Sequence, residues 1–158
     1  GGTLYRPQIV EKIQPVDGSP ILTFKPEANG VLPVRAENLQ IISEAMFMVT
    51  GPTGTARANI RGLQFDVAGK TGTAESGSGL PHGWFAGFTN NEENTGLPDI
   101  AIVVIAENIG QGSEYGVPLF RAMVEAYYYG SPQRQFYDFG PIGLPLYTPT
   151  PPSSGVIP

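Results

Sequence analysis

Hydrophobic and polar residues alternate along the middle of the chain with the two-residue period of β-strands. The stretch 64–74 alternates around Phe65 and Val67, which predicts a half-buried strand. A second alternating stretch predicts a strand near 83–90. The run of apolar, largely β-branched residues within 99–107 predicts a central strand covered on both faces.

Two further segments have the period of amphipathic helices. The first spans residues 35–50 and ends at Gly51-Pro52. The second spans residues 116–129, with Pro118 in its first turn and Gly130 at its end. The apolar residues expected to face the core are Leu39, Ile42, Met46 and Val49 in the first helix and Phe120, Met123, Val124 and Tyr127 in the second.

The remaining segments complete an α+β fold, in which an antiparallel β-sheet of at least three strands is packed by helices. A turn signal around Asp17-Gly18 predicts a β-hairpin within 8–24, and the segments 26–33 and 90–98 are predicted to be loops. The folded portion is expected to be residues 1–130.

Residues 131–158 differ in composition from the rest of the chain. They contain seven prolines and only two charged side chains, Arg134 and Asp138, which predicts a linker or a tail. Three aromatic residues near the start of this segment could still dock on the folded portion: Phe136, Tyr137 and Phe139.

Composition excludes several classes of site. The chain has 158 residues, a net charge of −5 and no basic stripe, so no nucleic-acid partner is expected. It has no cysteine, and His82 is its only histidine, which argues against disulfides and thiolate or multi-histidine metal sites. No metal and no cofactor are therefore expected. No apolar run reaches the length of a membrane span. The first residue is Gly1 rather than Met, so we expect a piece of a longer protein.

The predicted strand at 64–74 carries the most informative string, in which Lys70 lies between glycines and two threonines follow at alternate positions. If the strand is a sheet edge, Thr71 and Thr73 share one face and Lys70 points to the other. Three interpretations of the string are open. They are a hairpin strand with solvated side chains, a phosphate-binding loop, and the Lys-Thr-Gly element of penicillin-recognising acyl transferases. The phosphate-binding loop requires a glycine where Gln64 stands.

The order of motifs favours the third interpretation. The chain resembles the C-terminal part of the transpeptidase domain of high-molecular-weight penicillin-binding proteins, of the monofunctional class B type. The stretches that carry the resemblance are Gly1-Gly2-Thr3-Leu4-Tyr5-Arg6-Pro7 with Ile9-Val10, the predicted helix through Met46 and Val49, Val67-Ala68-Gly69-Lys70-Thr71-Gly72-Thr73-Ala74-Glu75, and Trp84-Phe85-Ala86-Gly87-Phe88.

The resemblance implies serine acyl transfer in peptidoglycan synthesis. In that family a serine attacks a D-alanyl-D-alanine stem peptide, a second peptide's amine resolves the acyl-enzyme, and β-lactams acylate the same serine. The resemblance assigns Lys70 to proton transfer and carboxylate binding, and the hydroxyls of Thr71 and Thr73 to substrate binding. The backbone N–H of Thr73 would be an oxyanion donor, and Gly72 would let the peptide pair along the strand edge. His82, Trp84, Glu75 and the pair Glu107-Asn108 are interpreted as structural or solvated residues.

The sequence departs from the family pattern in one respect. No Ser-x-x-Lys and no Ser-x-Asn string occurs in the 158 residues. We therefore expect a fragment that is inactive in isolation and whose partner is the missing N-terminal half of the transpeptidase domain. The parent would bind stem peptide or a β-lactam and be anchored in the bacterial cytoplasmic membrane, with this domain on the outer (periplasmic or extracellular) face.

Other interpretations of the chain as a whole remain open. The isolated chain could dimerise or swap segments through surface that the missing half would cover. It could instead be a stand-alone module that binds a peptide or a protein without chemistry, or part of a β-lactamase-like hydrolase, which shares the Lys-Thr-Gly strand.

Overall fold

The fold combines an antiparallel three-stranded sheet with helices on both of its faces, which confirms the predicted α+β class. The computed structural model describes residues 1–77 and 79–134. In chain order the elements are β1 (Thr3–Tyr5), β2 (Lys12–Ile13), β3 (Leu22–Thr23), β4 (Ala28–Val31), α1 (Ala36–Thr50), α2 (Arg57–Ile60), β5 (Val67–Ala74), β6 (His82–Thr89), α3 (Glu92–Thr95), β7 (Ala101–Ala106) and α4 (Gly116–Tyr129).

The main sheet has the strand order β5-β6-β7, and both pairings are antiparallel. The alternation seen in the sequence places successive side chains on opposite faces. Phe85 and Val104 lie opposite each other on one face, and both are buried there with Phe120 of α4. The rings of Phe85 and Phe120 pack edge to face with their centroids 4.7 Å apart. This contact between sheet and helix forms the centre of the hydrophobic core.

Helix α4 faces the core with a different stripe from the one predicted. Phe120 and Val124 are buried as expected, but Met123 is 47% exposed and Tyr127 is 37% exposed, so the prediction for those two residues was wrong. The buried face instead includes Arg121 and Glu125. These residues form an ion pair, with 2.7 Å between Nε and Oε1. Hydrophobic periodicity could not identify this face, because charged residues in the sequence are normally assigned to the solvent-facing side of a helix.

Helix α1 packs on the opposite face of the sheet, where the rings of Phe47 and Phe88 meet edge to face. No residue of this helix is fully buried, and Ile42 is 54% exposed, which contradicts its predicted core position. The physical reason is that α1 rests mainly on β5. Its outward side therefore has no neighbour among the described residues, and Ile41 and Met48 are exposed there as well.

Strand β7 was predicted to be central and covered on both faces, and that prediction was wrong. It is the second edge strand of the sheet as far as the described residues extend. Val104 faces α4 and is buried, whereas Val103 and Ile105 point to the other face and are 65% and 42% exposed. An apolar strand with one open face and one open edge is a surface that proteins normally cover.

The N-terminal segment forms two small antiparallel pairs. The predicted hairpin within 8–24 is present, with Lys12 opposite Thr23. The segment 26–33 is not entirely a loop, because it contains β4, which pairs with β1. That pairing joins residues far apart in sequence, so local pattern did not reveal it.

Two short helices complete the described part, and one of them corrects the prediction of a plain polar connection at 90–98, since α3 lies within that stretch. The other, α2, follows the turn after α1. The prediction for the tail falls largely on residues 135–158, which lie outside the described residues.

Candidate functional site

Strand β5 presents the Lys-Thr-Gly string at an edge of the sheet. Its only strand partner in the described part of the chain is β6, with Lys70 opposite Ala86 and Gly72 opposite Trp84. The first three residues of the strand are buried, and exposure begins at Lys70. The second half of β5 therefore combines a polar sequence with an accessible edge.

Hydrogen bonds made by side chains show which backbone groups face that edge. The Thr50 hydroxyl donates to the carbonyl of Val67 at 2.6 Å, and the Lys70 ammonium donates to the carbonyl of Thr71 at 2.7 Å. In an antiparallel edge strand, alternate residues direct both N–H and C=O away from the partner strand. Thr73 has the same parity as Val67 and Thr71, so its backbone N–H points to the unpaired edge. An N–H in this orientation is free to donate to a ligand.

Lys70 and Thr71 lie on opposite faces of β5, as the alternation predicts. Lys70 is on the face shared with Trp84 and Ala86, and both Lys70 and Ala86 are exposed. The Lys70 ammonium forms no ion pair with a described carboxylate. Its one described hydrogen bond is to the neighbouring carbonyl, which leaves donor capacity for an anionic group.

The structure brings a residue to the strand that sequence reasoning missed. The hydroxyl oxygens of Thr55 and Thr71 are 3.3 Å apart, although the residues are separated by 16 positions. Thr55 lies in the turn after α1, where Gly51-Pro52 reads only as a helix end. No periodic signal points from that turn to β5, so only the tertiary fold could identify the contact.

The two glycines of the string meet different neighbours. A Cβ built on Gly69 would lie 2.3 Å from Cζ of Phe85, so this glycine makes room for the core. A Cβ on Gly72 would lie 3.1 Å from Cβ of Trp84. Behind the strand, Gly112 approaches the carbonyl of Gly72 so closely that a Cβ there would lie 2.3 Å from it. The string is therefore held by packing from within the chain, and its edge remains accessible.

His82 and Asn108 join the start of β6 to the turn after β7 through a hydrogen bond. The backbone N–H of Asn108 donates to Nδ1 of His82 at 3.0 Å, and Asn108 adopts a left-handed φ of 53°. This contact holds the turn after β7 against the start of β6. Trp84 is half-buried on the face shared with Lys70.

The Asp99 carboxylate orders the segment that joins β6 to β7, at the other end of this strand pair. Asp99 accepts hydrogen bonds from the Asn91 N–H at 2.7 Å and from the Thr89 hydroxyl at 2.9 Å. Burial acts to raise the pKa of Asp99, but these hydrogen bonds, with weaker ones from the Glu92 N–H and the Tyr128 hydroxyl, hold it below its ordinary value of 3.8. Its role is to order the turn, because its partners belong to that turn and to α4.

Within residues 1–77 and 79–134, no group of three or more histidine or acidic side chains is arranged to hold a metal ion. No helix in the same ranges has the length and apolar character needed to cross a bilayer.

Comparison with known proteins shows the family of the chain. A family model for the penicillin binding protein transpeptidase domain matches residues 1–125. The chain belongs to the penicillin-binding protein transpeptidase family. The peptidoglycan D,D-transpeptidase PbpA of Mycobacterium tuberculosis, in strains CDC 1551 / Oshkosh and ATCC 25618 / H37Rv, is 29% identical over 143 residues. That match covers 84% of this chain and 27% of the relative.

A solved structure gives the same result. The crystal structure of Pseudomonas aeruginosa PBP2 in complex with WCK 5153 superposes with a TM-score of 0.51 and is 31% identical in sequence. The superposition covers 72% of this chain and 23% of the PBP2 chain. The chain therefore spans about a quarter of the length of the penicillin-binding proteins it matches.

Proposed function

We propose that this chain supplies the substrate-binding edge of a peptidoglycan D,D-transpeptidase of the class B type. The observation that carries the proposal is the edge of β5 that no described strand pairs with, where the backbone N–H of Thr73 and the Lys70 ammonium are both accessible. A transpeptidase needs an oxyanion donor and a cation for the substrate carboxylate, and this edge offers both. The family match over residues 1–125 gives the proposal its reaction class.

Each residue of the string has a role in the proposal. Lys70 assists proton transfer and attracts the terminal carboxylate of a D-Ala-D-Ala stem peptide or of a β-lactam. Thr71 and Thr73 donate hydroxyl hydrogen bonds to that carboxylate or to the peptide, and the backbone N–H of Thr73 stabilises the oxyanion. Gly72 adds no side chain at the point where the peptide would pair along the edge as an additional strand.

The attacking serine is proposed to lie in a part of the parent protein outside this sequence. No serine in the 158 residues stands three positions before a lysine. In the proposed assembly, that part would also cover the open face and edge of β7, where Val103 and Ile105 are exposed. In its absence the same apolar surface would favour dimers of the isolated chain. The folded portion would be residues 1–130, followed by the proline-rich segment 131–158. The parent would be anchored in the cytoplasmic membrane, with this domain on its outer face.

Acylation by a fluorescent penicillin tests the proposal in two steps. The isolated chain is expected to show no covalent label after denaturing electrophoresis, because it lacks the activated nucleophile. In the parent transpeptidase, Lys70→Ala is expected to slow acylation about 100-fold or more, the size typical of a lost general acid–base group. Lys12→Ala is the matched control, since Lys12 is exposed on the N-terminal hairpin, and it should acylate at the wild-type rate.

Two results would count against the proposal. A stable label on a serine of the isolated chain would show that the nucleophile is present here. An unchanged acylation rate for Lys70→Ala in the parent would remove Lys70 from the site.

A further inference from the structure

Thr55 is a polar residue beside β5 to which the proposed transpeptidase function assigns no role. Its hydroxyl oxygen lies 3.3 Å from that of Thr71, and either hydroxyl can be the donor. Among the described residues, this contact is the only side-chain hydrogen bond of either threonine. Thr55 is exposed and Thr71 is half-buried, so water can reach the pair and the contact is not needed to satisfy a buried group.

The turn that carries Thr55 is anchored on both sides of the residue. Before it, the N–H of Gly54 donates to the carbonyl of Gly51 at 3.0 Å, and a Cβ on Gly54 would overlap the carbonyl oxygen of Val49. After it, Ala56 is 1% exposed, and its N–H donates to the same Val49 carbonyl at 3.0 Å. The backbone around Thr55 is therefore fixed against the end of α1, which presents the hydroxyl to β5 without further ordering when a ligand binds.

Lys70 and Thr71 meet at the open edge of β5 although their side chains leave the strand on opposite faces. The Lys70 ammonium donates to the Thr71 carbonyl at 2.7 Å, and this carbonyl points to the edge that no described strand pairs with. An anionic group along this edge would have the ammonium on one side and the Thr71 hydroxyl on the other. Thr55 is bonded to that hydroxyl, so its effect on the anion would be transmitted through Thr71.

The chemistry of a hydroxyl pair decides the direction of the bond. A hydroxyl has one proton to donate and two lone pairs that accept. When the Thr71 hydroxyl donates its proton to a carboxylate, it can no longer donate to Thr55, and Thr55 becomes the donor. The proton from Thr55 then fixes the rotation of the Thr71 hydroxyl and polarises it, which strengthens its bond to the carboxylate.

We propose that Thr55 is a positioning residue for the substrate carboxylate: its hydroxyl donates to Oγ1 of Thr71 and directs the single proton of Thr71 to the carboxylate of the stem peptide or of a β-lactam. This inference rests on the proposed substrate-binding role of Thr71. It assigns Thr55 to binding of the carboxylate and not to stabilisation of the oxyanion, because the proposed oxyanion donor is the backbone N–H of another residue, Thr73.

Acylation of the parent transpeptidase by a β-lactam that carries a carboxylate tests the inference. Thr55→Val removes the hydroxyl and keeps the branched shape. It should raise the β-lactam concentration at half-saturation about three- to tenfold, the size expected for one lost hydrogen bond, and leave the acylation rate at saturation unchanged. Thr55→Ser keeps the hydroxyl and should restore wild-type binding. Thr23→Val is the matched control, since Thr23 is an exposed strand residue of the N-terminal hairpin, and it should acylate as the wild type does.

A double variant shows whether Thr55 acts through Thr71. Thr71→Val alone should weaken β-lactam binding at least as much as Thr55→Val. Adding Thr55→Val to Thr71→Val should cause no further loss, because the hydroxyl that Thr55 orients is already absent.

The possible results separate this inference from the proposal on which it rests. If Thr71→Val leaves acylation unchanged, the substrate-binding role of Thr71 and this inference both fail. If Thr71→Val weakens binding and Thr55→Val does not, only this inference fails. It also fails if the two losses multiply in the double variant or if Thr55→Ser does not restore binding. A lower saturating rate for Thr55→Val, or a lower urea midpoint of the isolated chain, would overturn it in favour of a packing role.

Discussion

Gly69→Ala should destabilise the fold even though it adds only one methyl group to β5. A Cβ at this position would lie 2.3 Å from Cζ and 2.5 Å from Cε1 of Phe85, and 2.9 Å from the carbonyl oxygen of Ala86. Carbon atoms are comfortable at about 3.5–4.0 Å, so either the ring or the strand must move. Phe85 is fully buried and its ring packs against Phe120, so moving the ring would disturb the contact at the centre of the core.

The magnitude follows from the packing. Overfilling a well-packed core costs about 1–3 kcal/mol, and the short distances place Gly69→Ala near the upper end. Reduced backbone entropy of the unfolded chain offsets about 0.4–1 kcal/mol, because Gly69 has no positive φ that alanine would resist. We expect a net loss of about 2 kcal/mol. Gly72→Ala should cost less, since its nearest contact is 3.1 Å from Cβ of the half-buried Trp84.

Urea unfolding of the chain measures this loss, with far-UV circular dichroism and the fluorescence of Trp84, the single tryptophan, as two probes. With an m-value of about 2 kcal/mol per molar urea, the midpoint should fall by about 1 M for Gly69→Ala. Phe85→Leu should cost less in the Gly69→Ala background than in the wild type, because the smaller side chain relieves the contact. A Gly69→Ala protein within about 0.5 kcal/mol of the wild type, or a double mutant without coupling, would refute the steric argument.

Three further predictions concern other parts of the fold. Glu125→Ala should lower the free energy of unfolding by about 3–5 kcal/mol, because it leaves Arg121, which is 5% exposed, as an unpaired buried charge. Replacing both residues by apolar ones should lower it much less, and equal losses in urea unfolding would contradict this reasoning. Since folding lowers the pKa of Asp99, the carboxylate stabilises the fold above its ordinary value of 3.8 and loses that effect as pH falls through the folded value. The difference in melting temperature between wild type and Asp99→Asn should therefore shrink in acid, and a constant difference would be inconsistent with the assigned hydrogen bonds. Val103→Glu should leave stability within about 0.5 kcal/mol but lower the dimer fraction in sedimentation of the isolated chain, and an unaltered fraction would exclude the β7 surface as its contact.

Local pattern identified the elements that are regular and amphipathic. The strand at β5, the strand at β6 and the ends of α1 and α4 all follow from alternation, helical spacing and the stop signals at Gly51 and Gly130. The order of motifs also identified the family, because the string around Lys70 and the stretch around Trp84 occur in a fixed sequence. These properties depend on neighbours along the chain, which is why the sequence reveals them.

The candidate site is only partly a sequence property. Residue parity along β5 follows from the string itself, so the opposite faces of Lys70 and Thr71 could be predicted. That β5 is an edge strand, and that Thr55 reaches Thr71, depends on which segments pair and which turn lies beside the strand. The need for glycine at position 69 likewise comes from the Phe85 ring on the next strand.

The sequence by itself determined the two long helices, the strands of the main sheet, the faces of the Lys-Thr-Gly strand and the family, because each is encoded by residue type and spacing over short distances. Tertiary structure decided which apolar residues are covered. It left Ile42, Val103 and Ile105 exposed, and it buried Arg121 with Glu125. Hydrophobicity drives burial only where another surface is available, and a charged pair is buried when its partners satisfy it. Both conditions are set by how the elements pack.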